Sequence, residues 1–396
     1  MRCQVVIAGV ATCLAFIPLS ATGGQYEVAP SFSASQVLPA DVLRSADYRI
    51  VDRVGLENFQ YVFNVDSNWG PFVVKGGDLM WVRAREMAAT AKLQSISGGD
   101  TTVNSAARTA MKPVETAKDF VVAPGKTVGD TFKGVGRMFN SAQASMSATD
   151  PNKDTVLASV TGGSTARRKL AFELGVDPNT SFPPLSSELK RLATASAIGE
   201  TGVNVGLSFV AGPAGFAISA TGTSNTLREM LRDKTSAELE KEGRVMLAGM
   251  GVSPGTVEAF YANPMLSPTD KAIIVEALQS LGGAGGREVF IAGAANAVSI
   301  EMGFFYRRQA ELIASFNRKV APVHGFVQVG GVPMLETGKG TVSILPVDYL
   351  IWTPPLESLI AGAGGRGEIW ITGRASPMAT AKLAERGWTL VPKAKL

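Results

Sequence analysis

The chain has very little of the side chains on which metal and nucleophile chemistry usually depends. Of its 396 residues only two are cysteines, Cys3 and Cys13, and only one is a histidine, His324. Both cysteines lie in an N-terminal segment of signal type, so the exported chain would hold no thiol and no disulfide. We therefore expect no zinc site of the usual ligands, and a fold whose stability comes from the size of its core.

The N-terminus has the composition of a secretory signal. Arg2 gives the positive end, residues 5–19 form the apolar centre, and Ala21 and Gly23 are small residues at the cleavage position. A retained membrane anchor is the alternative, although the apolar run is short for a membrane span. We therefore expect export to the periplasm or the cell envelope.

Charge is also scarce and nearly balanced. Charged residues make up 18% of the sequence, and the formal net charge is +4, or +3 once the segment that contains Arg2 is removed. This excess is too small and too evenly spread for a nucleic-acid-binding surface. It is compatible with a mild attraction to anionic lipid, so a membrane surface or an envelope protein is the expected partner.

The longest uncharged stretch runs from residue 201 to residue 227, TGVNVGLSFVAGPAGFAISATGTSNTL. It is long enough to cross a bilayer, and Gly202 and Gly206 have the GxxxG spacing of closely packed membrane helices. Its many Gly, Ser, Thr and Asn residues make it only moderately hydrophobic, and Pro213 interrupts any single helix. Two interpretations stay open, a membrane-inserted segment and a buried Gly-rich helical hairpin; the polarity favours the hairpin.

The periodicity of the whole chain predicts an α+β protein in five parts. They are a signal peptide at 1–23, a small antiparallel sheet with a helix at 24–98, an amphipathic, partly irregular connector at 99–163, a helical core with the Gly-rich hairpin and one long helix at 164–320, and a mixed α/β unit at 321–396. The connector has the composition either of a solvated linker or of a segment that lies on a membrane surface.

Local signals place several elements within these parts. A strand is expected at 48–54, and the alternation of Phe59, Tyr61, Phe63 and Val65 predicts a second strand with one buried face.

Later in the chain, the sequence SPTD at 267–270 predicts a helix start, because it places a cap, a proline and an acid where helices favour them. GGAGG at 282–286 predicts a break. The apolar spacing after it predicts one helix from Arg287 to Asn317, roughly 45 Å long. Strands of the C-terminal unit are predicted for the segments GFVQV, VPMLE, TVSILPV, YLIWT, EIWITG and WTLV.

Several segments have a distinctive amino-acid sequence: YVFNVDSNWGPFVV, GVGRMF, KLAFELGVDPNTSFPPL, LPVDYLIWT and WITGRASPMATAKLAERGW. Together they resemble a group of exported proteobacterial proteins of unknown function, over most of the mature chain. The resemblance implies export and a shared architecture. It implies no activity, cofactor or active site.

Two glycine motifs do not fit nucleotide binding. The sequence GKT at 125–127 lacks the preceding strand and the first glycine of a phosphate loop. The GxGxxG spacing at 362–367 precedes a predicted strand, where its glycines cannot present a helix N-terminus to a pyrophosphate. We therefore expect no nucleotide and no cofactor.

Four residues remain as candidate catalytic groups. Ser187 and Lys190 have the SxxK spacing that places a lysine one helical turn from a serine nucleophile, but the KTG element of that motif set is missing. His324 would have to serve in any Ser-His-acid triad. Glu301 is the one charge in the middle of the predicted long helix, and burial should raise its pKa if it faces the core. A structural role for each residue is the alternative.

These observations favour a protein without catalysis in the periplasm or cell envelope, which packs, binds a partner or contacts the membrane. The alternative is a soluble periplasmic hydrolase or small-molecule binding protein, with a site near Glu301 or near Ser187 and Lys190.

Overall fold

The computed structural model describes residues 25–96, 163–198, 225–329, 332–363 and 366–396. Within these ranges the chain forms 13 helices and 12 strands, which confirms the predicted α+β class. The N-terminal elements are β1 (Phe32–Ser33), α1 (Ala34–Val37), α2 (Ala40–Leu43), β2 (Tyr48–Ile50), β3 (Arg53–Glu57), β4 (Gln60–Ser67), β5 (Phe72–Lys75) and α3 (Gly77–Ile96).

The central elements are helices: α4 (Gly163–Leu174), α5 (Pro183–Ile198), α6 (Asn225–Asp233), α7 (Ser236–Gly249), α8 (Pro254–Ala262), α9 (Pro268–Gln279), α10 (Arg287–Ala295) and α11 (Ile300–Lys319). The C-terminal elements are β6 (Val323–Val329), β7 (Val332–Thr337), β8 (Gly340–Leu345), β9 (Tyr349–Leu350), α12 (Pro354–Gly362), β10 (Gly367–Ile371), β11 (Arg374–Ala375), α13 (Pro377–Glu385) and β12 (Trp388–Val391).

Strand β4 is the centre of the N-terminal antiparallel sheet. Strands β3 and β2 pair in succession along one edge of β4, and β5 pairs with the other edge. Tyr61, Phe63 and Val65 are buried, as their alternation predicts. The strand predicted at 48–54 is interrupted, because the six residues from Ile50 to Gly55 lie opposite four residues of β4, Val62 to Val65. This bulge turns the Asp52 carboxylate toward the first residues of α1.

Helix α3 and the first two central helices close one hydrophobic core over this sheet. Trp69, in the turn after β4, packs edge-on against Phe182 just before α5, with ring centroids 6.2 Å apart. Met87 of α3 and Leu189 of α5 are fully buried in the same core. The N-terminal sheet and the start of the helical region are therefore packed together, which is what places α3 beside the loop between α4 and α5.

Helices α7, α9 and α11 pack side by side, and α8 packs on α10. The predicted start of α9 has the expected capping geometry. Ser267 Oγ accepts a hydrogen bond from the Asp270 amide at 3.0 Å, and Asp270 Oδ2 accepts one from the Ser267 amide at 3.0 Å. Pro268 occupies the first turn, as its fixed backbone angle favours.

The predicted single helix from Arg287 to Asn317 is wrong. The chain instead forms α10 and α11, separated by a break at 296–299. Asn296 ends α10, and the Ser299 hydroxyl caps α11 by accepting a hydrogen bond from the Met302 amide at 3.2 Å. Apolar spacing continues through the break because both helices bury residues in the same core, so periodicity alone did not reveal it. At 20 residues, α11 spans about 30 Å.

The GGAGG segment forms the predicted break, and a buried arginine fixes its shape. Gly286 has a φ of 67°, and a side chain there would collide with the Phe326 carbonyl of β6. The Arg287 guanidinium donates hydrogen bonds to the carbonyl oxygens of Gly282, Leu278 and Ala284. The Arg287 side chain thus supplies the hydrogen-bond donors that these three backbone carbonyl groups need.

The C-terminal sheet has the strand order β12-β10-β8-β7-β6. Strands β6, β7 and β8 form an antiparallel meander, whereas β8, β10 and β12 are parallel. Helices α12 and α13 lie in the crossovers between the parallel strands, so the expected mixed α/β unit is present. The expected strand YLIWT is short, because only Tyr349 and Leu350 pair with β11 before Pro354 starts a helix. Gly367 begins β10, as expected of a glycine motif that precedes a strand.

Asp348 joins the C-terminal unit to the N-terminal sheet. Its Oδ2 accepts hydrogen bonds from the amides of Tyr61 at 2.8 Å and Gly77 at 2.9 Å. Its own amide donates to the Phe59 carbonyl at 2.9 Å. Burial raises the pKa of this carboxyl to about 7, although both amide donors act in the opposite direction.

Several predictions lie outside the described residues. These are the signal peptide at 1–23, the connector at 99–162 and the Gly-rich stretch at 201–224. The division into five parts stays a prediction. Among the helices in the described ranges, none has both the length and the apolar content that crossing a bilayer requires.

Candidate functional site

An arginine-rich cavity of about 100 Å³ lies where α3, the loop between α4 and α5, α6, the start of α9 and α11 meet. We call it the arginine cleft. Three carboxylates line it, those of Glu86, Asp177 and Asp270. Six arginines also line it: Arg83, Arg85, Arg168, Arg228, Arg232 and Arg307. Cationic side chains therefore outnumber carboxylates two to one in its wall.

The loop at 175–182 forms one side of the cleft. Gly175, with a φ of 67°, ends α4 in the left-handed conformation that its lack of a side chain allows. Asp177 Oδ1 then accepts a hydrogen bond from the Asn179 amide at 2.7 Å, and the Thr180 hydroxyl accepts one from the Phe182 amide at 2.9 Å. These local bonds hold the loop in a fixed turn, so its side chains have defined positions at the cavity.

Helix α6 supplies the basic side of the cleft. Arg228 and Arg232 are four residues apart, so they lie on one face of the helix, and both guanidinium groups lie over the ring of Phe172. The guanidinium Cζ atoms of Arg228 and Arg232 lie 4.9 and 4.7 Å from the centroid of that ring. Arg168 of α4 donates to the Arg232 carbonyl at 3.1 Å. The two arginines are thus held by a ring whose face attracts cations.

Two of these arginines are neutralised by a neighbouring carboxylate. Arg83 is paired with the buried carboxylate of Glu86 and donates to Ser181 Oγ at 2.6 Å. Arg232 is paired with Asp233 through two hydrogen bonds of 2.7 and 2.8 Å. These two guanidinium groups therefore form part of the wall and add little net charge.

Arg228 differs from both. It contacts Phe172, to whose carbonyl it donates at 3.4 Å, and it forms no ion pair with a carboxylate of the described residues. Burial lowers its pKa. The pKa of Arg85 is lowered by its burial and then by the charge of Arg228. Arg228 therefore lies close enough to Arg85 to disfavour its charge, although Glu86 acts in the opposite direction, and an anion bound beside Arg228 would relieve that repulsion.

The side of the cleft formed by the loop after α4, the start of α9 and α11 holds carboxylates around a single arginine. Arg307 lies 3.4 Å from Asp270 Oδ1, 3.9 Å from Asp177 Oδ2 and 3.6 Å from Glu311 Oε1. The guanidinium of Arg307 thus lies within ion-pair distance of three carboxylates. Burial opposes its charge, but these carboxylates together raise the pKa of Arg307.

Asp177 is the least compensated of these acids. Its Oδ1 accepts the Asn179 amide and also the Thr269 hydroxyl, at 2.6 Å. Its Oδ2 accepts no hydrogen bond from any residue in the described ranges, and the Arg307 nitrogen beside it is 3.9 Å away. Burial raises the pKa of this carboxyl to about 6, against the effect of Arg307 and Thr269. The oxygen remains available to a donor in the cavity.

A second, smaller cavity of about 20 Å³ lies on the other side of α11. Glu301 lines it, together with Asp78, Asp348, Lys75 and Arg308. Glu301 is half-buried here and does not face the arginine cleft. This space is of the size of a single water molecule, so it offers no room for a substrate.

The other predicted candidates do not form a site with Glu301. Ser187 and Lys190 are both exposed on the outer face of α5, and His324 is exposed on the edge strand β6. None of the three lines either cavity. No group of three or more His, Cys, Asp or Glu side chains within the described ranges is placed to hold a metal ion.

The arginine cleft was missed in the sequence because its parts are far apart in the chain. Arg85 and Arg228 are brought together by the packing of α3 and α6 against α4 and α5. The one usable signal was the spacing of Arg228 and Arg232, which places two cations on the same face of a helix.

Comparison with models of protein families, with curated protein sequences and with solved structures gave no match. The assignment of a function therefore depends on the geometry of the cleft.

Proposed function

We propose that this protein is an exported binding protein without catalysis, whose arginine cleft binds a small organic anion. The observation that carries the proposal is Arg228, a half-buried cation at a cavity, stacked on Phe172 and without a carboxylate partner among the described residues. Guanidinium groups are the side chains best suited to carboxylate and phosphate, because their donors form a planar fork.

The walls between the charged groups are apolar, which favours an organic ligand over a bare inorganic ion. Leu79, Phe172, Leu231, Ile273 and Phe304 all line the cleft. A small ligand site is typically apolar with a few convergent polar groups, and this cleft has that composition. By comparison with an apolar cavity of about 150 Å³ that holds benzene, the enclosed space accommodates roughly four non-hydrogen atoms.

Calorimetric titration of the purified chain with propionate, acetate and inorganic phosphate tests this proposal. We expect propionate to bind, and Arg228→Gln to weaken it by roughly tenfold or more, the value of one charge-assisted hydrogen bond. Arg49→Gln is the matched control, because Arg49 is an exposed arginine that is paired with Asp66. If none of the three anions binds, or if Arg228→Gln and Arg49→Gln lose the same amount of affinity, the cleft is not an anion site.

We propose separately that the protein is exported to the periplasm or cell envelope, where contact with the membrane is the alternative role. A signal-type N-terminus supports export to the periplasm or cell envelope. Cell fractionation tests it, with salt and carbonate washes of the membrane pellet. Retention after carbonate would favour the alternative of an envelope protein that contacts the membrane, and flotation with anionic liposomes would test that contact directly.

A further inference from the structure

The arginine cleft carries charge of both signs, on two different sides. On the basic side, the guanidinium groups of Arg228 and Arg232 lie over the Phe172 ring. On the acidic side, Asp177 and Asp270 lie 3.9 and 3.4 Å from the Arg307 guanidinium. Neither Arg228 nor Arg232 lies within ion-pair distance of Asp177 or Asp270, so the two sides of the cleft are separate.

Each side has one group that is left incompletely compensated. On the basic side it is Arg228, which has an aromatic ring and a backbone carbonyl as its contacts. On the acidic side it is Asp177 Oδ2, which lines the same cavity and accepts no hydrogen bond from the described residues. A bare anion would satisfy the first group and leave the second unpaired.

We propose that the ligand of the arginine cleft is a small zwitterion, an amino acid of two or three carbons, with its carboxylate beside Arg228 and its ammonium group at Asp177 Oδ2. This inference rests on the proposed function, because it specifies the ligand of the same cleft. The cavity of about 100 Å³ encloses most of such a molecule, and because Arg228 and Arg232 are only half-buried the remaining atoms can extend toward solvent. The ammonium group would donate one of its three hydrogens to Asp177 Oδ2.

Three ligands of matched length separate the possibilities. β-Alanine carries both charges, propionate lacks the ammonium group, and propylamine lacks the carboxylate. At pH 7.5 we expect β-alanine to bind roughly tenfold or more tightly than propionate, because it adds one charge-assisted hydrogen bond. Propylamine should bind weakest, since it meets the basic side of the cleft with a like charge.

Asp177→Asn is the decisive variant. The asparagine oxygen can still accept from the Asn179 amide and the Thr269 hydroxyl, so the loop should keep its shape. We expect β-alanine to lose roughly tenfold or more in affinity, whereas propionate binds as before or more tightly. The matched control is Asp66→Asn, which removes an exposed carboxylate elsewhere.

The pH dependence of wild-type binding gives a second measure that needs no variant. Asp177 faces Arg307, Asp270, Thr269 and Asn179, and its pKa of about 6 means that it gains a proton between pH 7 and pH 5. The comparison is made between pH 7.5 and pH 6, where the carboxylates of both ligands and the ammonium group of β-alanine keep their charges. The preference for β-alanine over propionate should therefore shrink as the pH falls.

The outcomes distinguish this inference from the proposal on which it rests. Equal or tighter binding of propionate at pH 7.5 would overturn the zwitterion and leave the anion site intact, as would a preference unchanged by Asp177→Asn. Propylamine binding as tightly as β-alanine would also overturn it. If neither acid binds, the proposed function itself fails.

Discussion

Asp348 allows a demanding test of the structure, because one carboxylate oxygen joins two parts of the molecule. Its Oδ2 accepts both the Tyr61 and the Gly77 amides. Asp348→Asn keeps an oxygen for these two donors and removes the charge. Asp348→Ala removes the oxygen, and each amide left without a partner costs about 1–3 kcal/mol. The two variants thus separate the effect of the charge from that of the hydrogen bonds.

The sign of the pH effect follows from the pKa of Asp348. Burial raises it from 3.8 to about 7, so the folded state holds a proton that the unfolded state has released. Stability from this group is fully present below about pH 4 and is lost as the pH rises to about 7. The loss is at most about 4 kcal/mol in total, and about 3 kcal/mol of it falls between pH 5 and pH 8.

Urea unfolding, followed by tryptophan fluorescence at pH 5 and pH 8, measures this effect. Relative to wild type, Asp348→Asn should gain up to about 3 kcal/mol of unfolding free energy between the two pH values. Asp177 also titrates in this range, but it does so in both proteins and cancels in the comparison. Asp348→Ala should be destabilised at both pH values. The reasoning is refuted if Asp348→Asn shows the same pH dependence as wild type.

Three further substitutions test the described packing by thermal unfolding. Gly286→Ala should destabilise by about 2–3 kcal/mol through its collision with a β6 carbonyl, whereas Gly251→Ala, also at positive φ but with open space around it, should cost less; equal losses would contradict the collision. Ser267→Ala should cost about 1 kcal/mol by removing a helix cap, and exposed Ser187→Ala should cost almost nothing; a neutral Ser267→Ala would contradict the cap. Arg287→Met should cost at least about 3 kcal/mol, because three carbonyls lose their donor, and a stable variant would show that water replaces the guanidinium.

Local chemistry explains which parts of the fold were predictable. The cap at Ser267 and the alternation along β4 depend on neighbours a few residues away, and both are present. The break between α10 and α11 depends on a single serine cap, whose signal the continuous apolar spacing outweighed. The bulge after Ile50 could not be predicted from the sequence, because a bulge is defined by the register of the strand that lies opposite.

The site was less predictable because it depends on tertiary packing. Glu301 stood out in the sequence for its isolation, yet it lines the smaller cavity. Asp177 lies in a segment of turn-forming residues, where an aspartate is ordinary, and only the approach of α9 and α11 gives it an unusual environment. Charge that is unremarkable along the chain becomes significant when burial removes the water around it.

Helix α11 forms a wall of both cavities and gives each of them one arginine. Arg307 and Arg308 are adjacent, so their side chains leave the helix about 100° apart and enter different cavities. Both return to one carboxylate, Glu311, at 3.6 and 3.1 Å. Arg307 also lies beside Asp177 and Asp270, and Arg308 also pairs with Asp78. The acidic side of the arginine cleft is therefore set by the same helix that seals the smaller cavity.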